Sequence, residues 1–167
     1  GKEKPFASDS IAVKFQLVTN AIAAPVQMSV APDGSARRFI TDNGGKIWVM
    51  KSDSLLPKPF LDVSVKPVQK NKEPVVGTIF GMAFHPQFAK NQKFYVCYNA
   101  ASQIVTNKSK LVVSEFMSNI KNPDIADAKS GHPIFELEGS TVFGNGAEIA
   151  FGPDGYLYIS IGDDDPG

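Results

Sequence analysis

Short runs of alternating apolar and polar residues, rich in Val, Ile, Phe and Tyr, recur along the chain, each closed by Gly, Pro, Asn or Asp. Alternation with a period of two marks strands that bury one face. The pattern predicts strands at Val13–Thr19, Gln27–Ala31, Arg38–Asp42, Lys46–Lys51, Phe60–Val63 and Ile79–Phe84. It continues with Phe94–Asn99, Lys110–Phe116, Ile134–Glu138, Glu148–Phe151 and Tyr156–Ile161. Helical spacing is poor throughout, since no window repeats apolar residues with a 3.6-residue period over three turns. The best helical candidate is a short turn around Asn122–Ala128.

One unit recurs: an apolar strand runs into a Pro-containing turn and then into a second strand. Its copies are Met28–Gly34 with Arg38–Asp42, Gly81–Gln87 with Lys93–Cys97, and Glu148–Gly155 with Tyr156–Ser160. Their prolines, Pro32, Pro86 and Pro153, fall 54 and 67 positions apart by subtraction. Pro presets φ, and Asp-Gly adds a side-chain acceptor followed by a residue tolerant of positive φ, which together make a tight hairpin. A strand-turn-strand unit repeated at this interval predicts an all-β fold of the β-propeller kind. A β-sandwich also spaces short strands between turns and is the alternative. Lys66–Glu73 and Gln103–Lys108 are polar insertions that read as surface loops.

Two four-strand units fit before the third stops after its second strand. Residues 1–167 therefore read as the N-terminal part of one propeller domain, roughly its first two to two and a half blades, ending mid-blade. Open strand edges are normally paired or covered. Self-association, or the remainder of the propeller, is the expected cover.

Composition excludes several function classes. Lys plus Arg equals Asp plus Glu at 17 each, so no long-range field draws nucleic acid or an anionic membrane. No apolar run approaches the roughly 20 residues of a membrane-spanning helix. The start, Gly1-Lys2-Glu3-Lys4-Pro5, lacks a signal-peptide core. The single cysteine, Cys97, cannot form an intrachain disulfide, and its aromatic flanks suggest a small buried hydrophobe.

The stretches Gly81–Phe88, Asn91–Val96 and Ala150–Asp163 carry a family resemblance. With them the chain resembles the N-terminal part of the soluble glucose and sorbosone dehydrogenases, six-bladed propellers that use pyrroloquinoline quinone (PQQ). The resemblance implies oxidation of an aldose at its anomeric carbon, with a histidine base, the quinone as hydride acceptor and calcium polarising it. It also implies a periplasmic or secreted location. The base position falls on Gly144, in Phe143–Glu148, and a missing general base typically costs about 10²- to 10⁴-fold in rate. A polar residue that the family sets beside the quinone falls on Val76, and Asp163 matches the carboxylate that orients the histidine. The family's basic cofactor-gripping residues and calcium-binding carbonyls belong to later blades.

Among the other candidates, Asn145 and Gly146 are the cofactor-binding ones, because Gly144-Asn145-Gly146 can form a backbone nest for an anion or else a plain flexible turn. Asp163-Asp164-Asp165-Pro166-Gly167 reads either as a calcium site or, favoured for lack of ligand spacing, as a solvated loop. His85 reads as a turn residue bonded to nearby backbone, and His132 as a solvent-exposed loop residue. Neither stands at metal-ligand spacing. Trp48 reads as packing between blades. Three functions remain open: a quinone sugar dehydrogenase drifted at its base, a non-catalytic propeller binding carbohydrate or protein, and a structural fragment. The retained motif residues favour the first.

Overall fold

A computed structural model describes residues 13–64, 77–104, 109–138 and 147–162. Its strands form three antiparallel sheets. The first contains β1 (Pro25–Val30), β2 (Arg38–Asp42) and β3 (Lys46–Lys51), with the two-residue strands β4 (Ser54–Leu55) and β5 (Leu61–Asp62) sharing the far edge of β3. The second runs β6 (Ile79–Phe84), β7 (Lys93–Ala101), β8 (Ser109–Ser118) and β9 (Ala126–Glu138), each paired with the next. The third is the pair β10 (Ile149–Phe151) and β11 (Leu157–Ile159). One short helix, α1 (Phe88–Asn91), joins β6 to β7.

The three sheets stack side by side. Strand β6 touches β1 on one side and β10 on the other, while β5 meets β9 at the periphery. Each sheet's first strand is thus its inner one, which is the radial order of propeller blades. Across the periphery, Ala126 N–H donates to the Phe60 carbonyl (2.8 Å), tying the outer strands of the first two sheets.

The middle sheet buries both faces of β6 to β8, while its outer strand β9 is mostly exposed. Along β7, Phe94 and Val96 point toward the first sheet, and Tyr95 and Cys97 toward the third. A run of phenylalanine rings fills the first interface: Phe39 meets Phe60 and Phe84 edge-on at 4.8 and 4.9 Å, and Phe60 reaches Phe94 at 5.0 Å. Such pairs add about 1 kcal/mol each beyond the area they bury. In the second interface, Tyr95 and His85 both pack on Phe151. Gly131 on β9 leaves room for Phe116, which stacks on Phe94 in the first interface, since a Cβ there would lie 2.3 Å from the Phe116 ring.

The hairpin chemistry read from the sequence is present in the first and third sheets. Asp33 Oδ1 accepts from Ser35 N–H and Gly34 takes φ +77°, while Asp154 Oδ1 accepts from Tyr156 N–H and Gly155 takes φ +82°. The second hinge lacks Asp-Gly and winds instead into α1, which closes on Gln92 in the left-handed conformation. His85 Nδ1 accepts from Gln87 N–H (2.9 Å), as expected of a turn histidine.

Several expectations need correction. Residues 13–19 form no strand and are mostly exposed, because no neighbour pairs with them. The Asn122–Ala128 stretch is a turn at Pro123–Asp124 that enters β9, not a helix. Strand β9 starts at Ala126 instead of Ile134, so His132 lies on a strand opposite Glu115 and not in a loop, although it is exposed. Trp48, read as packing between blades, packs with Ile22, Ile40 and Met50 on the face of the first sheet that no described sheet covers. The Lys66–Glu73 insertion lies outside the described residues, while Gln103 and Ile104 are exposed.

A buried arginine spans the first interface at the end where β1 turns into β2. Arg37, 3% exposed, donates to Asp33 (2.6 Å), Ser35 (2.9 Å), Asp124 (3.4 Å) and the Pro123 carbonyl. Burial disfavours the Asp33 charge, yet hydrogen bonds from Ser35 and Arg37 outweigh it and hold the carboxyl below its ordinary range. Glu115 is likewise lowered: burial opposes its charge, but Tyr95, Lys93 and the nearby His132 overcome that cost. Burial alone pushes the Cys97 thiol up to about 12.

Three outcomes are expected. Arg37→Met should cost about 3 kcal/mol in denaturant unfolding, because breaking a buried pair strands its carboxylates, and Arg37→Lys should recover only part of the loss. Because Asp33 and Glu115 release protons more readily folded than unfolded, their stabilisation is complete at neutral pH and falls away below about pH 4. Native protein should leave Cys97 unlabelled by iodoacetamide at pH 8, with modification appearing only on unfolding.

Candidate functional site

The inner strands begin together at one end of the stack, around a cavity of about 410 Å³ lined by Val26, Asn43, Phe80, Ala147, Glu148 and Ser160, with Ile79 beneath. Two β-bulges shape this mouth, one between Pro25 and Gln27 and one between Ile79 and Gly81. The second shifts the alternation of β6, so Phe80 packs with the third-sheet cluster while Ile79 and Met82 pack toward the first sheet.

A polar residue near the end of each second strand pins the start of the inner strand beside it. In the first sheet Thr41 Oγ1 accepts from Gln27 N–H at 3.0 Å. In the second, Asn99 Oδ1 accepts from Thr78 N–H at 2.7 Å. In the third, Ser160 Oγ accepts from Glu148 N–H at 3.1 Å. Thr41 and Asn99 are buried at 0% and 1% exposure, so their hydrogen bonds replace lost water and are costly to remove. Gln27 then bridges sheets, its Oε1 accepting from Met82 N–H (2.8 Å). The turn after β2 closes against the next sheet. Gly45, at φ +85°, lies so near that a Cβ would stand 2.3 Å from the Gly77 carbonyl oxygen.

The residues singled out from the sequence lie outside the described residues: Gly144, Asn145, Gly146, Val76, and Asp163 with the acidic run to Gly167. Ala147, directly after Gly146, and Ser160, three residues before Asp163, both line the cavity. The pinning trio was missed. Thr41, Asn99 and Ser160 lie 58 and 61 positions apart by subtraction, a more even interval than the prolines show. Scanning for one polar residue at the end of each second strand would have found them.

Chemically, the mouth offers an aromatic face (Phe80), an amide (Asn43), a hydroxyl (Ser160) and a carboxylate (Glu148). Both histidines of the chain lie elsewhere, His85 in the turn after β6 and His132 on β9. PQQ is a tricarboxylate and calls for cations, yet no cationic side chain lines this mouth among the described residues. Nor do the described residues contain a His, Cys, Asp and Glu group able to hold a metal ion. The described residues by themselves do not fit the quinone or its calcium.

The sheet order and its axial mouth define a β-propeller of the kind found in sugar dehydrogenases. Residues 22–166 match the Glucose / Sorbosone dehydrogenase family, and the chain belongs to it. Among curated relatives, Hedgehog-interacting protein of Mus musculus is 32% identical over 153 residues, covering 89% of this chain and 22% of that protein. HIPL2 protein of Arabidopsis thaliana is 31% identical over 179 residues, covering 83% and 25%. Among solved structures, the PQQ-bound form of Aldose Sugar Dehydrogenase from Streptomyces coelicolor superposes with a TM-score of 0.69 at 19% identity, over 90% of this chain and 41% of that one. The apo-form of the soluble Aldose sugar dehydrogenase from Escherichia coli gives 0.65 at 17% identity, over 86% and 39%. The chain thus spans about a quarter of its curated relatives' length and about two-fifths of the solved chains.

Asn99→Ala should cost about 1–3 kcal/mol by leaving the Thr78 amide unpaired. Gly45→Ala, at a buried position, should cost more than Asn99→Ala, from positive-φ strain and contact with Gly77 combined, and denaturant titration of both variants checks the ranking.

Proposed function

We propose that this chain forms one side of the mouth of a sugar-binding propeller that holds a carbohydrate without oxidising it by the family's base-assisted route. The observation that carries this reading is the lining of the mouth. Phe80 offers a face for the C–H side of a pyranose ring, and Asn43, Glu148 and Ser160 offer hydroxyl partners, while neither histidine is present. The glycine at position 144, where the family resemblance puts the base, supports the same reading, because glycine accepts no proton. Asp163 then has no imidazole to orient, and Asn145 and Gly146 are left as backbone contacts for a bound anion or hydroxyl.

The exposed outer faces of the first sheet (Val26, Met28, Val30) and of the third (Tyr158) are read as covered by further blades of one domain that includes residues 1–167, or by a second copy. An extracytoplasmic location follows from the family kinship, and no helix among the described residues is long and apolar enough to cross a membrane. The second reading is a PQQ-dependent aldose dehydrogenase, favoured by a family match that runs through nearly the whole chain.

The two readings separate in one experiment on the complete polypeptide. Titration calorimetry with an aldose panel should show binding that Phe80→Ala weakens about tenfold, with no aldose-dependent dye reduction after PQQ and Ca²⁺ are added. Sustained turnover by the unaltered protein would establish the dehydrogenase instead. Loss of Phe80 with no effect on sugar binding would remove this mouth as the site.

A further inference from the structure

The opposite end of the stack carries a second concave surface, unrelated to the mouth just described. There the β1–β2 turn, the β3–β4 turn, the end of α1 and the β8–β9 turn surround a cavity of about 800 Å³. A neighbouring cavity of about 470 Å³ shares Gln92 and Pro123 with it, so the two form one groove across the first two sheets.

Its framework is rigid. The three non-glycine residues with positive φ among the described residues, Ala36, Ser52 and Gln92, all line the larger cavity. Ser52 is explained by the two-residue hairpin between β3 and β4, and Gln92 by the end of α1. Ala36, at φ +55°, has no such local cause; it immediately precedes the residue that turns inward as the Arg37 clamp. Holding non-glycine residues in this region costs of order 1 kcal/mol each and needs support from the surrounding structure. The Arg37 clamp supplies that support, because it ties the first turn to Pro123 and Asp124 across the sheet boundary.

The groove also differs from the rest of the chain in charge. Its lining holds Arg37, Arg38, Lys51 and Lys90 against Asp33 and Asp124, four cations to two anions, whereas the chain as a whole balances to zero. Arg37 is consumed internally. Arg38 makes one ion pair, with the exposed Asp53, and the half-exposed Lys51 makes one with Asp124, so the guanidinium and the ammonium each retain N–H donors beyond that pair. Beside these cations lies an exposed apolar side chain, Ile120 at 82%.

We infer that this groove docks an acidic, extended peptide segment of a partner protein, with carboxylates on Arg38, Lys51 and Lys90 and an apolar side chain against Ile120. A shallow groove with an apolar anchor point and a cationic rim suits a linear segment better than a compact small molecule, and charge complementarity sets its sign. The inference does not depend on the sugar-binding reading, since no residue is shared between the two sites.

The test uses the complete polypeptide and a fluorescein-labelled octapeptide of aspartates and glutamates carrying one central leucine. Anisotropy should show binding that weakens as salt rises. The paired reversal Arg38→Glu with Lys51→Glu should weaken it at least about tenfold, and Ile120→Ser should weaken it independently. Lys129→Glu, on exposed β9, controls for net charge and should leave binding unchanged. Far-ultraviolet circular dichroism confirms that each variant is folded. Equal binding of a lysine-rich octapeptide, displacement by equimolar inorganic phosphate, or indifference to the paired reversal would each overturn the proposal.

Discussion

A sheet whose first three strands have no free face constrains everything around it. Strands β6 to β9 bury Phe94 and Val96 against one neighbour and Tyr95 and Cys97 against the other, so the sheet is stable only when flanked on both sides. The flanking sheets must present complementary apolar surfaces at the same height. They do so because each starts from the same hairpin unit, with its inner strand laid beside the next. The Phe39–Phe60–Phe94 chain of rings and the Phe151 platform are the two halves of that arrangement.

Polar contacts then decide how the two ends of the stack differ. At the mouth, Thr41, Asn99 and Ser160 each satisfy a backbone amide at the start of an inner strand, which fixes the rim in one conformation. At the other end a single guanidinium, Arg37, gathers four partners from two sheets. The first end is thereby ordered with few charges, and its described lining is partly aromatic with Glu148 as its one ionisable side chain. The second concentrates charge around the clamp and leaves cations at its margin. Both devices rest on the same rule, that a buried donor without a partner costs more than a made hydrogen bond returns.

On the sugar-binding reading proposed above, kinship and chemistry separate in this chain. It belongs to the Glucose / Sorbosone dehydrogenase family and shares the propeller architecture of solved aldose dehydrogenases. The relatives it resembles include Hedgehog-interacting protein, whose name describes binding and not oxidation. Architecture survives such divergence because it depends on alternation and turn chemistry spread over many residues, whereas a reaction depends on a few side chains at fixed places.

Local order was legible in the chain alone. Alternation located most of the strands, and Pro32-Asp33-Gly34 and Pro153-Asp154-Gly155 announced their hairpins, because both signals are written in neighbouring residues. Residues 13–19 show the limit: alternation without a pairing neighbour makes no strand. The early start of β9 shows another, since its polar first half is held by pairing with β8 despite weak strand character. Tertiary structure alone decided which polar residues matter. Arg37 is an unremarkable surface-type residue until Pro123 and Asp124, more than 80 positions away, close over it. The inner-strand pins and the opposite groove likewise join residues distant in sequence, and only the packing of one sheet on the next brings them within hydrogen-bonding reach.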